Sequence, residues 1–137
     1  MDCLFCKIVN KTIPSYTLYE DDDLLVFLDR FPQCTGHTII IPKYHAVDLF
    51  DFPVGVASRV LPLAQTIGAQ LREVLGFDGL NILQNNGTAA GQEIMHYHMH
   101  LIPRFENDSM TINAHNPRTD PAPPELEAFV QRFKKIL

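Results

Sequence analysis

Positive charge is the first thing this chain is short of. Lys and Arg total 11 against 16 Asp and Glu, a net charge of −5 at pH 7, so a basic surface for nucleic acid is not expected. Long apolar runs are missing as well. No stretch approaches the roughly 18–20 residues that a transmembrane helix needs, and Met1 leads into Asp2 and Cys3 rather than the basic start of a secretory signal. Cysteine is sparse, at three residues. A secreted disulfide scaffold calls for an even, denser set, so a reducing cytoplasm is the expected compartment. Internal repeats and low-complexity tracts are absent. What is left is one ordinary folded domain: 137 residues, 46% hydrophobic and 20% charged, with a mean hydropathy of −0.02. Folding at this length buries about 68% of the surface, enough for a core without cross-links. Against that background the oddities are six histidines and three cysteines.

Several short apolar segments read as strands. Leu24 to Leu28 follows an acidic turn, Thr38 to Ile41 is β-branched and stops at Pro42, and Leu80 to Asn85 alternates into the turn Asn85-Asn86-Gly87. His96 to Ile102 is the clearest, with Pro103 after it, and Tyr16 to Tyr19 is a short candidate. A helix is predicted from Pro53 to Gly76, with Val56, Val60, Leu63, Ala64, Ile67, Leu71, Val74 and Leu75 at helical spacing. Pro62 inside it predicts a kink or a break. Ala114 to Pro124 holds four prolines in eleven residues and reads as an extended connection. After it Leu126, Phe129, Val130, Phe133 and Leu137 form the stripe of a last helix. Hairpin-grouped strands with one long inserted helix and one appended helix argue for an α+β fold. The expected division is a domain over residues 1–113, with the 114–137 extension and helix packed on it.

His96, His98 and His100 alternate, so in a strand they share one face while Tyr97, Met99 and Leu101 take the apolar other face. Structural hydrogen bonding, metal ligation and acid–base or nucleophilic work are all compatible with such a row. Just upstream, Ala89-Ala90-Gly91-Gln92-Glu93 places a glycine where backbone amides can approach an anion. At the N-terminus, Cys3 and Cys6 have the spacing of a zinc half-site, which on its own also fits a redox pair or two idle thiols.

Gly91 through Arg104 resembles the signature of the histidine triad (HIT) family, His-φ-His-φ-His-φ-φ with φ apolar. The resemblance extends to Phe5, Lys7-Ile8, Ile13-Pro14, Tyr19-Glu20-Asp21, Phe27-Leu28-Asp29, Gly36-His37-Thr38, Ile41-Pro42-Lys43 and Asn85-Asn86-Gly87, and covers about residues 3–105, in the Hint-type, bacterial-type branch. It implies an antiparallel sheet of about five strands, a homodimer, and a nucleotide hydrolase or nucleotidyl transferase acting at the α-phosphorus of purine nucleotides. Carried over by position, His98 is the nucleophile that forms a nucleotidyl-histidine, and His100 and His37 contact phosphate oxygens. Gln92 and Gly91 form the phosphate loop, Asn85 lies beside the α-phosphate, and Asp29 holds the ribose hydroxyls. Phe5, Ile8 and Phe27 line the base pocket, although ordinary core is the competing reading for each.

Glu93 departs from members that carry Ser or Thr at that position to assist the leaving group. The resemblance also completes the zinc set: Cys3, Cys6, His45 of Pro42-Lys43-Tyr44-His45, and His96. Cys34 is expected to be a free thiol, and His115 has no assigned role. An adenosine phosphoramidate is the expected substrate. Dinucleoside polyphosphate hydrolysis and a non-catalytic, zinc-stabilised nucleotide binder are the alternatives.

Overall fold

The computed structural model describes residues 2–112 and 119–135. His115, Leu137, the 113/114 boundary and part of the proline-rich tract lie outside the described residues. The order of elements is α1 (Leu4–Val9), β1 (Thr17–Glu20), β2 (Leu24–Leu28), β3 (Thr38–Pro42), α2 (Val54–Ala57), α3 (Val60–Leu75), β4 (Gly79–Leu83), β5 (Met99–Arg104) and α4 (Pro123–Lys134). The strands form one antiparallel sheet in the order β1-β2-β3-β5-β4. This is the α+β architecture expected. No helix among the described residues is long and apolar enough to cross a membrane.

The sheet is covered on both faces, which is why β2 and β3 are buried at every position. Leu24, Val26 and Leu28 point to the face packed by α3 and α4, where Ile67, Leu71, Phe129 and Phe133 meet them. Leu25 and Phe27, with Ile39 and Ile41, point to the other face, which Phe5 and Ile8 of α1 cover. Tyr97, Met99 and Leu101 join the α3/α4 side as the alternation requires.

Three boundaries differ from the sequence reading. The expected long helix is broken into α2 and α3 at Ser58–Arg59, ahead of Pro62. Pro62 then lies in the first turn of α3, where a missing N–H costs nothing. Gly76 closes α3 in the left-handed conformation, φ +65°. The strand expected from His96 begins only at Met99 and runs on through Pro103 to Arg104. Pairing with β3 ends at Thr38↔Leu101, so Pro103 needs no N–H on that side; its carbonyl there accepts from the Cys34 thiol instead. The short helix α1 was not anticipated. It is capped by Cys3, whose sulfur accepts the Cys6 backbone N–H at 3.3 Å.

Candidate active site

One row of side chains running across four strands makes the floor of the main cleft. The registers pair Phe27 with Ile39, Ile39 with His100, and His100 with Leu83, so all four project on the same face. They line a cleft of about 690 Å³, a volume suited to a small organic ligand. Phe5 and Ile8 from α1 form an apolar wall. Phe5 lies edge-on to Phe27 at 5.8 Å and to His98 at 5.1 Å between ring centres. Asp29, Asn85, Gly91 and Glu93 reach the same cleft. Phe5, Ile8 and Phe27 are therefore buried residues and cleft walls at once.

His98 is held by the segment that leads directly into β5. Its Nδ1–H donates to the His96 carbonyl at 2.8 Å, which assigns the lone pair to Nε2. Burial lowers its pKa, opposed by the His96 carbonyl and the Glu93 carboxylate, so the ring is neutral near pH 7. His100 is oriented from behind. The Gln33 backbone N–H donates to His37 Nδ1 at 3.1 Å, leaving the His37 hydrogen on Nε2, which donates to His100 Nδ1 at 2.8 Å. The Asp29 carboxylate lies 3.6 Å from His37 Nε2 and accepts the Phe31 backbone N–H. His37, expected at the phosphate, is 0% exposed and lies outside the residues that line the cleft, with its Nε2 on His100. Asp29, His37 and His100 are also close enough to suggest a metal set. The hydrogen on His37 Nε2 makes that nitrogen a donor, however, and not a ligand.

The Gly87–Ile94 stretch of the loop before β5 is braced by the buried Gln92. Gln92 accepts the Gly87 backbone N–H at 2.7 Å and donates to the carbonyls of Val47 and Ile94 at 2.6 and 3.0 Å. The Gln92 side chain, expected on the phosphate, thus ties the loop to itself and to Val47. Gly91 adopts φ +93°, and a Cβ there would sit 3.3 Å from the Asn85 side-chain amide. That explains a glycine beside Asn85 at the cleft edge.

Behind His98 lies a second cluster. The sulfurs of Cys3 and Cys6 and the Nδ1 atoms of His45 and His96 all lie within 4.8 Å of one another. Individual separations are 3.4 Å for Cys3–His96, 3.2 Å for Cys6–His45, 3.6 Å for Cys6–His96 and 3.2 Å for His45–His96. A tetrahedral zinc with ordinary bond lengths sets its ligands about 3.3–3.8 Å apart. The donor set therefore fits. The His96 Nε2–H donates to the Pro42 carbonyl at 2.8 Å, which points Nδ1 into the cluster.

The HIT domain profile matches residues 10–107 of this chain. The chain belongs to the HIT family. This HIT protein is 39% identical over 135 residues to the adenylylsulfatase HINT3 of Arabidopsis thaliana, covering 96% of this chain and 68% of the relative. It is 42% identical over 107 residues to the adenosine 5'-monophosphoramidase HNT1 of Saccharomyces cerevisiae, covering 78% and 65%. The crystal structure of a zinc-bound histidine triad family protein from Mycobacterium smegmatis superposes with a TM-score of 0.83 at 37% identity, covering 100% of this chain and 99% of that one.

Sequence reading of this HIT chain missed cleft residues that the registers explain. Ile39 belongs to an expected strand with no site role, yet pairing with both Phe27 and His100 forces it onto the cleft face. Leu83 was read as strand but not as floor. Arg30 and Ile112 also line the cleft, and no local pattern marks either.

Proposed function

We propose that this HIT protein is a hydrolase or nucleotidyl transferase of purine nucleotides that acts at the α-phosphorus, with adenosine phosphoramidates as substrates. The observation that carries the reading is His98: a buried neutral imidazole on the cleft wall, its Nδ1–H committed to the His96 carbonyl and its Nε2 lone pair left for chemistry. The two named relatives support it, since an adenylylsulfatase and an adenosine 5'-monophosphoramidase both act on an adenosine 5'-phosphoryl group.

The Nε2 lone pair attacks phosphorus, and the bond from phosphorus to the leaving nitrogen breaks with its electron pair going to that nitrogen. The nitrogen takes a proton and departs as the amine. The His96 carbonyl stabilises the cationic ring that results. Water then adds to phosphorus, the P–Nε2 bond breaks, and AMP and neutral His98 are returned. His100, oriented by His37, and the backbone amides around Gly91 are the donors for the phosphate oxygens. Asp29 takes the ribose hydroxyls, Asn85 flanks the phosphate, and the Phe5, Ile8 and Phe27 walls take the base.

The Cys3, Cys6, His45 and His96 set holds one structural zinc on this reading, supported by the donor separations and by the zinc-bound relative. Four protein ligands close such a site, so its role is to fasten α1 and His96 together. The working form is a homodimer, as the family resemblance implies. The cytoplasm is the compartment that keeps Cys3 and Cys6 as thiols.

The test is turnover of an adenosine 5'-phosphoramidate by the native protein and by His98→Ala. The variant is expected to lose at least about 10³-fold in kcat while retaining AMP affinity within about threefold. Unchanged turnover in the variant sinks the mechanism. Turnover of a dinucleoside polyphosphate but not the phosphoramidate would favour the alternative substrate.

A further inference from the structure

Glu93 carries a charge that the reaction above leaves unused. The backbone on either side of it is fixed, because the buried Gln92 side chain binds Gly87 and Val47 on one side of the loop and the Ile94 carbonyl on the other. Glu93 itself is exposed and lines the cleft together with Gly91 and His98. The cleft's other fixed charges do not cancel its negative charge. Asp29 is also acidic, and Arg30 is engaged by Asp120 at 2.9 Å and by the Pro121 carbonyl at 3.3 Å. No lysine lines the cleft among the described residues. The α-phosphate therefore meets neutral N–H donors, and the braced loop beside it offers a carboxylate toward solvent.

We infer that Glu93 selects the leaving group by charge: it favours α-phosphoryl substituents bearing a protonated amine and disfavours anionic ones such as sulfate or further phosphates. The inference rests on the α-phosphorus reading of His98 and adds to it a preference set by this chain's own departure at position 93. A unit charge about 6 Å away, in the intermediate dielectric of a cleft mouth, shifts an affinity about threefold to tenfold. Attraction for one tail and repulsion for the other multiply, giving a discrimination of at least about tenfold at low salt that weakens as salt screens it.

The experiment uses the full chain and two hydrolysis-resistant AMP diesters, one carrying an aminoethyl tail on the phosphate and one a carboxymethyl tail. Calorimetry should show the native protein preferring the aminoethyl ligand at least about tenfold, and Glu93→Gln should bring the two within about twofold of each other. Equal affinities in the native protein, or a preference that survives Glu93→Gln, overturn the inference. Because this measurement reads binding, it is independent of turnover: absence of phosphoramidate hydrolysis alongside the stated preference would count against the hydrolase reading alone. In the rate assay, Glu93→Gln should lower kcat/KM for an aminoalkyl phosphoramidate relative to adenylyl sulfate. An unchanged ratio overturns the inference as well.

Discussion

His37 has no surface on the cleft, yet both of its ring nitrogens are committed on the cleft's behalf. One accepts from the Gln33 backbone and the other donates to His100. That donation keeps the His100 hydrogen on Nε2, as the neutral tautomer requires. If the cleft works as proposed, His37 acts as a positioning residue, and its loss should appear in the rate more than in substrate binding. His37→Phe is expected to lower kcat about 10- to 100-fold, the cost of one charge-assisted hydrogen bond in the transition state. KM should move by less than about threefold, and His37→Gln, which offers one donor and one acceptor, should recover part of the rate. Steady-state kinetics of both variants, with circular dichroism to confirm folding, make the check. An equal effect on KM and kcat, or no recovery in the glutamine variant, would refute the positioning role.

The element that depends most on its surroundings is α1. Six residues are too few for a helix to hold itself together in water. Among the described residues, the Cys3 cap, the packing of Phe5 and Ile8 on the sheet, and the cysteine–histidine cluster hold it against the domain. The same helix supplies the apolar cleft wall, and its Phe5 touches His98. Metal removal should therefore loosen the nucleotide site along with the fold. Purified protein is expected to carry about one zinc per chain, and Cys3→Ser to lose it. Thermal unfolding of that variant should fall by roughly 5–10 °C, and AMP affinity should weaken. Metal-free native protein of unchanged stability would remove the zinc claim.

This dependence also explains what could be read in advance. The His96-to-His100 alternation was legible because it has period two over an apolar background, and it correctly put Tyr97, Met99 and Leu101 on the opposite face. α1 was not legible, since six residues cannot display a helical period and its cap is a thiol instead of a hydroxyl or carboxylate. The buried position of His37 was equally hidden. It depends on Gln33 and His100 meeting across a turn and a sheet, which no local pattern encodes.

On the scale of the whole molecule, the HIT domain match ends at residue 107, but the core does not. α4 inserts Leu126, Phe129, Val130 and Phe133 into the cluster that α3 and the sheet also build. The segment leading to it is tied to the cleft rim. Thr119 donates to the Pro32 carbonyl through both its backbone N–H and its hydroxyl, and Asp120 pairs with Arg30. At its far end Arg132 donates to the Val74 carbonyl of α3. These exposed polar ties are individually weak, the ion pair contributing about 0–1 kcal/mol. Attachment of the last helix therefore rests on its apolar face, and Phe133, 0% exposed, is the largest fully buried side chain there. Phe133→Ala should leave a cavity between α3, α4 and the sheet and destabilise the protein by about 3–5 kcal/mol, a large share of a typical domain's total. Denaturant unfolding followed by circular dichroism measures this directly. The loss should appear in the midpoint with the denaturant slope unchanged, as expected when α4 unfolds together with the rest. A destabilisation below about 1 kcal/mol, the range of an ordinary surface substitution, would mean that α4 is an appendage and that the domain is complete without it.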